Sequence, residues 1–295
     1  MVEIKTAQEL NKKYLRDGMW PTIFCNGCGV GVVLEYTLWA LEELGWDMNK
    51  VVFVSGIGCS SRLPGYIKAD GLHTTHGRAL AFATGIKAAN PDLKVIIFTG
   101  DGDCAGIGGN HFIHAARRNI DISVIMINNF IYGMTGGQLA PTAPLGSIAT
   151  TAPYGNIEPP FDICNLAKAL GANYVARWTV SHPYQPIKSV KAALQKKGFS
   201  LVEFLSPCPT AYGRRNKLAD IQKLWEWYDN NTILIEDYER IMNYGSEKEK
   251  ENIKNMFPIG VFQDIEKPGF FEQYEKLVER LIEKDKKTVK SQEVI

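Results

Sequence analysis

The sequence predicts an α/β protein built on a doubly wound, mostly parallel sheet, with a C-terminal extension. Apolar runs of strand length alternate with helix-compatible segments from residue 30 to residue 205, the pattern of strands joined by crossover helices. Several of these runs are continuously apolar, as expected of central strands covered on both faces. Two successive runs end in Gly100-Asp101-Gly102-Asp103 and in Asn128-Asn129, so an acid and an amide mark neighbouring strand ends.

Segment 30–44 carries Val33, Leu34, Leu38 and Leu41 at helical spacing and stops at Gly45. Residues 51–55 are the first strand. Segment 78–89 is alanine-rich and stops before Asn90-Pro91, because a residue preceding proline disfavours the helical conformation. Strand 94–99 leads into the Gly-Asp-Gly-Asp turn, a helix over 108–118 follows, and strand 122–128 ends the unit. Residues 132–160 are dense in Gly, Thr and Pro and too long for a passive connection, so they should line a site or an interface. A helix over 161–170 ends at Gly171, strand 174–180 follows, a helix over 185–197 ends at Gly198, and strand 200–205 closes the series. From Arg214 onward the sequence shows aromatic clusters (Trp225, Trp227, Tyr228; Phe270, Phe271, Tyr274) without further β–α alternation. Its Lys/Glu-rich stretch 279–293 reads as a solvated helix and a frayed tail. Residues 1–215 thus form the main domain, and 216–295 an extension wrapping that domain or a partner subunit.

With 45% hydrophobic and 22% charged residues the composition is that of a soluble globular protein. A net charge of +1 gives no reason to expect nucleic acid or an anionic membrane as partner. No apolar run reaches bilayer length, and the opening Met1-Val2-Glu3-Ile4-Lys5 lacks the apolar core of a signal peptide. A cytoplasmic location is the expectation. Six cysteines are then expected to be reduced, metal-bound or buried rather than paired in disulfides.

Parallel strands of one βαβ unit end on the same sheet edge, so Asp101 and Asn129 can face one pocket. Two hard oxygen ligands beside glycines that admit a close backbone approach suit a magnesium-bound diphosphate. Cys25 and Cys28 form a CxxC unit, Cys59 follows the first strand, and Cys208 lies between Pro207 and Pro209 after the last. Four thiolates can enclose Zn2+ or an iron–sulfur cluster, and a CxxC unit can also be a redox dithiol. Spacing alone does not separate these. Cys104 and Cys164 fit no such set and read as small buried residues.

The Gly-Asp-Gly…Asn-Asn pattern resembles the diphosphate-binding motif of thiamine-diphosphate (TPP) enzymes. Together with the cysteines, the chain resembles the β subunit of 2-oxoacid:ferredoxin oxidoreductases. The resemblance runs from residue 21 to about residue 217, on CNGCG (25–29), GIGCSSR (56–62), HTTHGRA (73–79), GDGD (100–103), GGNHFIHAARRN (108–119), NNFIYGMTGGQ (128–138) and PCP (207–209). It departs from the common form at Asn26, where Pro is frequent, and at Met134 and Gly136, which vary a segment often written with Leu and Lys.

This resemblance implies a TPP-binding fold and a Mg2+ held by Asp101, Asn129 and the carbonyl of Ile131. It implies a [4Fe–4S] cluster on Cys25, Cys28, Cys59 and Cys208, since zinc has no redox chemistry with which to accept electrons. Gly58, Cys59, Ser60, His76, Gly100, Gly102, Asp103, Gly133, Met134 and Thr135 would complete the cofactor pocket, the YGMTGG amides forming a nest for the diphosphate. His76 would exchange protons or bind a substrate oxygen near the reactive ring. Arg62 would hold the distal carboxylate of 2-oxoglutarate, or else form a salt bridge to the partner subunit. His73 reads as a loop histidine satisfying backbone groups, and His111 and His114 as packing or capping residues.

The implied reaction is the CoA-dependent oxidative decarboxylation of a 2-oxoacid to acyl-CoA and CO2, reversible in principle, with ferredoxin as electron acceptor. Members similar in the GCSSR segment act on 2-oxoglutarate, and pyruvate is the alternative. No motif supplies the glutamate that activates the TPP ring; the resemblance places it on an obligate α subunit. Two other classes compete: a non-redox TPP decarboxylase or synthase, which would not need the cysteines, and a zinc-stabilised scaffold, which would not need the diphosphate loop.

Overall fold

The protein is described by a computed structural model over residues 6–292. The chain start, on which the reading of the N-terminus falls, and Glu293 onward, the last residue of the stretch read as solvated helix and frayed tail included, lie outside the described residues. Six strands run parallel: β1 (Val51–Ser55), β2 (Asp70–His73), β3 (Lys94–Gly100), β4 (Ser123–Asn128), β7 (Tyr174–Thr179) and β8 (Ser200–Leu205). With β9 (Thr232–Leu234) and β10 (Phe257–Asp264) they form one eight-stranded sheet in the order β2-β1-β3-β4-β8-β7-β10-β9. The two-residue strands β5 (Ile131–Tyr132) and β6 (Gln138–Leu139) make a separate hairpin in the otherwise irregular 132–160 segment.

Because successive side chains of a strand point to opposite faces, the apolar runs feed two cores. Phe53, Ile96, Phe98, Ile125 and Ile127 meet Val33, Leu34, Leu38 and Leu41 of α2 (Val30–Leu44) and Val190 of α6 (Tyr184–Gln195). Val54, Val95, Ile97, Val124 and Met126 meet α3 (Ala79–Ala89), α4 (Gly109–Arg117) and α5 (Ile163–Leu170) through Leu80, Phe112 and Ile163. The layers are therefore helix, sheet, helix. Local chemistry sets the helix ends: α5 starts at Ile163 rather than 161 because the Asp162 carboxylate caps it, accepting from Asn165 N. Gly171 and Gly45 close α5 and α2 in left-handed conformations. Among the described residues no helix is long and apolar enough to cross a membrane.

The extension differs from the expectation of no further β–α alternation: it supplies β9 and β10. β10 pairs antiparallel with β7, with a register shift between Val261 and Gln263, and β9 pairs with β10. Around them lie α7 (Ile221–Asn230), α8 (Ile235–Tyr244), α9 (Glu247–Ile253) and the long α10 (Phe270–Gln292). Phe262 of β10 is buried under the guanidinium of Arg177, 5.1 Å from the ring centroid. Phe262→Ala should therefore cost about 3 kcal/mol. In a thermal melt that corresponds to a fall of roughly 5 °C in the midpoint; an unchanged midpoint would mean that β10 is not part of the cooperative fold.

The sheet also places the functional edge. After β1 the chain turns outward to β2, whereas after β3 it moves the other way to β4. Connections leaving in opposite directions open a crevice at the carboxyl ends of the strands, where doubly wound folds bind ligands. The short helix α1 (Ala7–Tyr14), capped by a Thr6–Glu9 capping box, packs against α2.

Candidate functional site

A cavity opens in this crevice. Its walls come from the segments after β1 (Ile57 to Ser60), after β3 (Gly100 to Asp103) and after β4 (Asn129, Ile131 to Thr135), together with His76. All the residues the sequence assigned to the cofactor pocket, from Gly58 to Thr135, line it.

Asp101 closes β3 and is 2% exposed. Thr142 donates to its Oδ2 at 2.6 Å, which leaves Oδ1 as the oxygen not bonded to Thr142. Burial pushes this carboxyl up to about 7, partly offset by Thr142 and by the backbone of Gly102. A buried acid without a basic partner is the environment that a bound cation relieves.

Across the cavity, Asn128 and Asn129 end β4. Phe130 follows in a left-handed conformation (φ 63°), a rare state for a bulky residue. Its ring is locked between Tyr212, Tyr228 and Phe257. Two side-chain turns hold the bend: Asn128 Oδ1 accepts from Phe130 N (3.2 Å) and Asn129 Oδ1 from Ile131 N (3.3 Å). Beyond the bend, Tyr132 donates to the Gly102 carbonyl at 2.9 Å. A methyl group at Gly102 would lie 2.3 Å from the Tyr132 ring, so only glycine lets the two loops close.

Asp103 faces inward, but its carboxylate is occupied by the protein's own donors. Oδ1 accepts from Gly77 N (2.7 Å), Ile57 N (3.2 Å) and His76 Nδ1 (2.5 Å), and Oδ2 from Thr99 Oγ1 (2.8 Å). Asp103 thus fixes His76 with Nδ1 as donor and leaves Nε2 as the nitrogen it does not engage. The imidazole also packs edge-on against Tyr132, with ring centroids 5.8 Å apart. His76→Ala is expected to lower turnover by about 100-fold or more while cofactor affinity stays close to wild type. Steady-state rates beside calorimetric binding would check this, and equal losses in both would contradict it.

Other assigned residues behave differently. The Thr135 hydroxyl donates to Gln138 Oε1 at 2.7 Å, so it must rotate to reach a diphosphate. Arg62 is exposed and is not among the residues of the cavity wall; among the described residues it has no ion-pair partner. The 3-10 turn Ser60–Tyr66 carries its side chain outward. His73 is held at Nδ1 by Ser55 Oγ and the Ser61 carbonyl, both at 3.1 Å, in keeping with a structural role. Sequence reasoning missed Thr142, whose only signal was its place in the irregular 132–160 segment.

The four assigned cysteines gather beside this cavity. Cys25 and Cys28 sit in the loop that starts α2, Cys59 lines the cavity itself, and Cys208 follows β8. Burial, with the nearby Cys208, Cys59 and Cys25 adding to it, pushes the Cys28 thiol up to about 12. Cys59 is raised by burial and by Cys208 and Cys25. A methyl group at Gly133 would lie 3.4 Å from Cys208 Sγ, so the cysteine set touches the YGMTGG loop. The extension's α7 covers the CxxC loop, where Trp225 Nε1 donates to the Gly27 carbonyl at 2.9 Å. Among the described residues no three His, Cys, Asp or Glu converge as ligands of a single ion. Cys104 and Cys164 are buried elsewhere, Cys164 with its thiol 3.2 Å from Glu203 Oε2.

The family described as thiamine pyrophosphate enzyme, C-terminal TPP binding domain, matches residues 56–204. The 2-oxoglutarate synthase subunit KorB of Methanocaldococcus jannaschii is 53% identical over 91% of this chain and 97% of its own. The 2-oxoacid:ferredoxin oxidoreductase subunit beta of Saccharolobus solfataricus is 39% identical over 85% of this chain and 84% of its own. Among solved structures, 2-oxoglutarate:ferredoxin oxidoreductase from Magnetococcus marinus, with 2-oxoglutarate, coenzyme A and succinyl-CoA bound, superposes with a TM-score of 0.81. It is 33% identical and covers 95% of this chain and 92% of that one.

Proposed function

Because the chain belongs to the β subunits of 2-oxoacid:ferredoxin oxidoreductases, which carry the TPP-binding domain, we propose that it is the cofactor- and cluster-bearing half of an enzyme acting on 2-oxoglutarate. The enzyme converts 2-oxoglutarate and CoA to succinyl-CoA and CO2 and passes two electrons to ferredoxin. The relatives named for 2-oxoglutarate favour that acid over pyruvate. Residues 1–215 carry both cofactors, and 216–295 complete the sheet and cover the cysteine loop.

The observation that carries this reading is the shared wall. Cys59 lines the same cavity as Asp101 and Asn129, and Cys208 abuts Gly133. An electron acceptor on these thiols would stand against the cofactor that yields the electrons. TPP, when bound, supplies the carbon nucleophile that opens the C1–C2 bond of the 2-oxoacid. Asp101 and Asn129 side chains and the Ile131 carbonyl would hold Mg2+ against its diphosphate. Asp103 holds His76 with one imidazole nitrogen left for proton exchange at the reacting carbon or its oxygen. Among the described residues no glutamate lines the cavity, consistent with a ring-activating acid on a partner α subunit. Arg62, exposed three residues from Cys59, would meet substrate carboxylate or that partner only at the subunit junction.

For the thiols a [4Fe–4S] cluster fits better than zinc. A tetrahedral zinc ion draws all its ligands to one centre, whereas four thiolates on a cluster each bind a separate iron and stand further apart. Purification with the partner subunit under anaerobic conditions tests the reading. About four irons and four acid-labile sulfides should be assignable to this chain, after subtracting clusters on other subunits. Zinc, or no metal, would leave a non-redox TPP enzyme as the better account.

A further inference from the structure

Resting on that reading, we propose that Glu203 is a positioning residue for the Mg2+ site, acting from beneath the cavity through Asn128 and Thr142. Glu203 lies within β8, 1% exposed, between Leu201-Val202 and Phe204-Leu205. Its Oε2 pairs with Arg177 Nε at 2.6 Å, and its Oε1 accepts from Asn128 Nδ2 at 2.7 Å. Arg177, itself 3% exposed, is further held by Asp162 at 2.6 Å and by the Pro258 carbonyl of β10 at 3.3 Å. A buried ion pair adds little stability over an apolar pair of the same volume, so its retention asks for another reason.

That reason is the orientation of one amide. With Nδ2 tied to Glu203, Asn128 must present Oδ1 to Phe130 N–H (3.2 Å) and to the Thr142 hydroxyl (3.1 Å). The first bond holds the left-handed Phe130, and hence the bend on either side of which Asn129 and Ile131 line the cavity. The second places Thr142, whose single hydroxyl hydrogen is shared between Asn128 Oδ1 and the nearer Asp101 Oδ2, at 2.6 Å. One carboxylate therefore sets both halves of the ligand group. Glutamine would not replace it. The Arg177 guanidinium would claim the amide oxygen, the NH2 would face Asn128, and the Asn128 amide would have to flip.

The test uses the complex with its partner subunit, stripped of metal, with TPP binding titrated against Mg2+. Wild type must first show Mg2+-dependent TPP binding; without it the functional reading fails, not this one. Glu203→Gln should raise the half-saturating Mg2+ concentration about 10- to 100-fold, the range for groups that orient metal ligands. Thr142→Val should do the same with only a small fall in the melting midpoint of the metal-free complex from the lost hydrogen bond, and Thr142→Ser should restore the wild-type value. If Glu203→Gln does not fold, the two Thr142 variants decide alone. Half-saturation unchanged in Glu203→Gln while its midpoint falls would reduce Glu203 to a structural role and overturn the proposal, as would unchanged half-saturation in Thr142→Val.

Discussion

Asp101→Ala should lose Mg2+-dependent TPP binding and yet melt at a higher temperature than wild type when free of cofactor at pH 8. The two effects have one origin. Asp101 is buried without a basic partner among the described residues, and its carboxyl stands at about 7 against an ordinary 3.8. An acid whose folded value lies above its unfolded value binds more protons in the folded state between the two. Stability therefore falls as the pH climbs from about 4 to about 7, and the full cost persists above that. The cost is of order 4 kcal/mol, and alanine removes it at the expense of the Thr142 hydrogen bond, worth about 1 kcal/mol. Below pH 4 the advantage should vanish. Affinity moves the opposite way: losing a direct ligand should exceed the 10- to 100-fold penalty typical of outer groups. Calorimetry and pH-dependent melting on the same samples separate the two arms. A variant that binds TPP normally would remove Asp101 from the metal site.

Cys59→Ala should cost the anaerobically purified complex about four irons per β subunit, along with ferredoxin reduction, while TPP binding survives. Cys59 sits at the start of the Ser60–Tyr66 turn, on the cavity wall and within electrostatic range of Cys25 and Cys208. Cys104→Ala is the matched control. Cys104 is more deeply buried, and its thiol is raised by burial and by the acids Asp103, Glu203 and Asp101 rather than by other cysteines. That variant should keep its full iron. Equal iron in all three proteins would place the cluster on another subunit.

Much of this was legible in the sequence because local signals and tertiary demands agreed. Strand 51–55 and helix 30–44 emerged at their observed bounds, since a continuous apolar run and a Gly-terminated helical stripe admit few alternatives. The Asp101–Asn129 pairing followed from the rule that parallel strands end on one edge. What the sequence hid depended on distant partners. β2 (Asp70-Gly71-Leu72-His73) is a polar edge strand whose pattern names no face. β10 is defined by its antiparallel register with β7 and by Phe262 packing under Arg177, neither of which has a local signature. Asp103 looked like a cofactor residue from its motif, and only the donors from Ile57, His76, Gly77 and Thr99 reveal it as the anchor of His76. Arg62 was expected beside the substrate from its neighbours in sequence, but the turn it occupies points it to the surface. Thr142 and Glu203 lie 41 and 102 positions beyond Asp101, so no motif could connect them to it.

The central claim is that a TPP-type pocket and a thiol-bound cluster on this chain form one electron-transferring unit. Its most direct test is ferredoxin reduction by the anaerobic complex with 2-oxoglutarate, with and without CoA. Two ferredoxins reduced per CO2 released, dependent on CoA and abolished in Cys59→Ala, is the result expected. CO2 release with ferredoxin left oxidised, or reduction that persists in Cys59→Ala, would contradict the account.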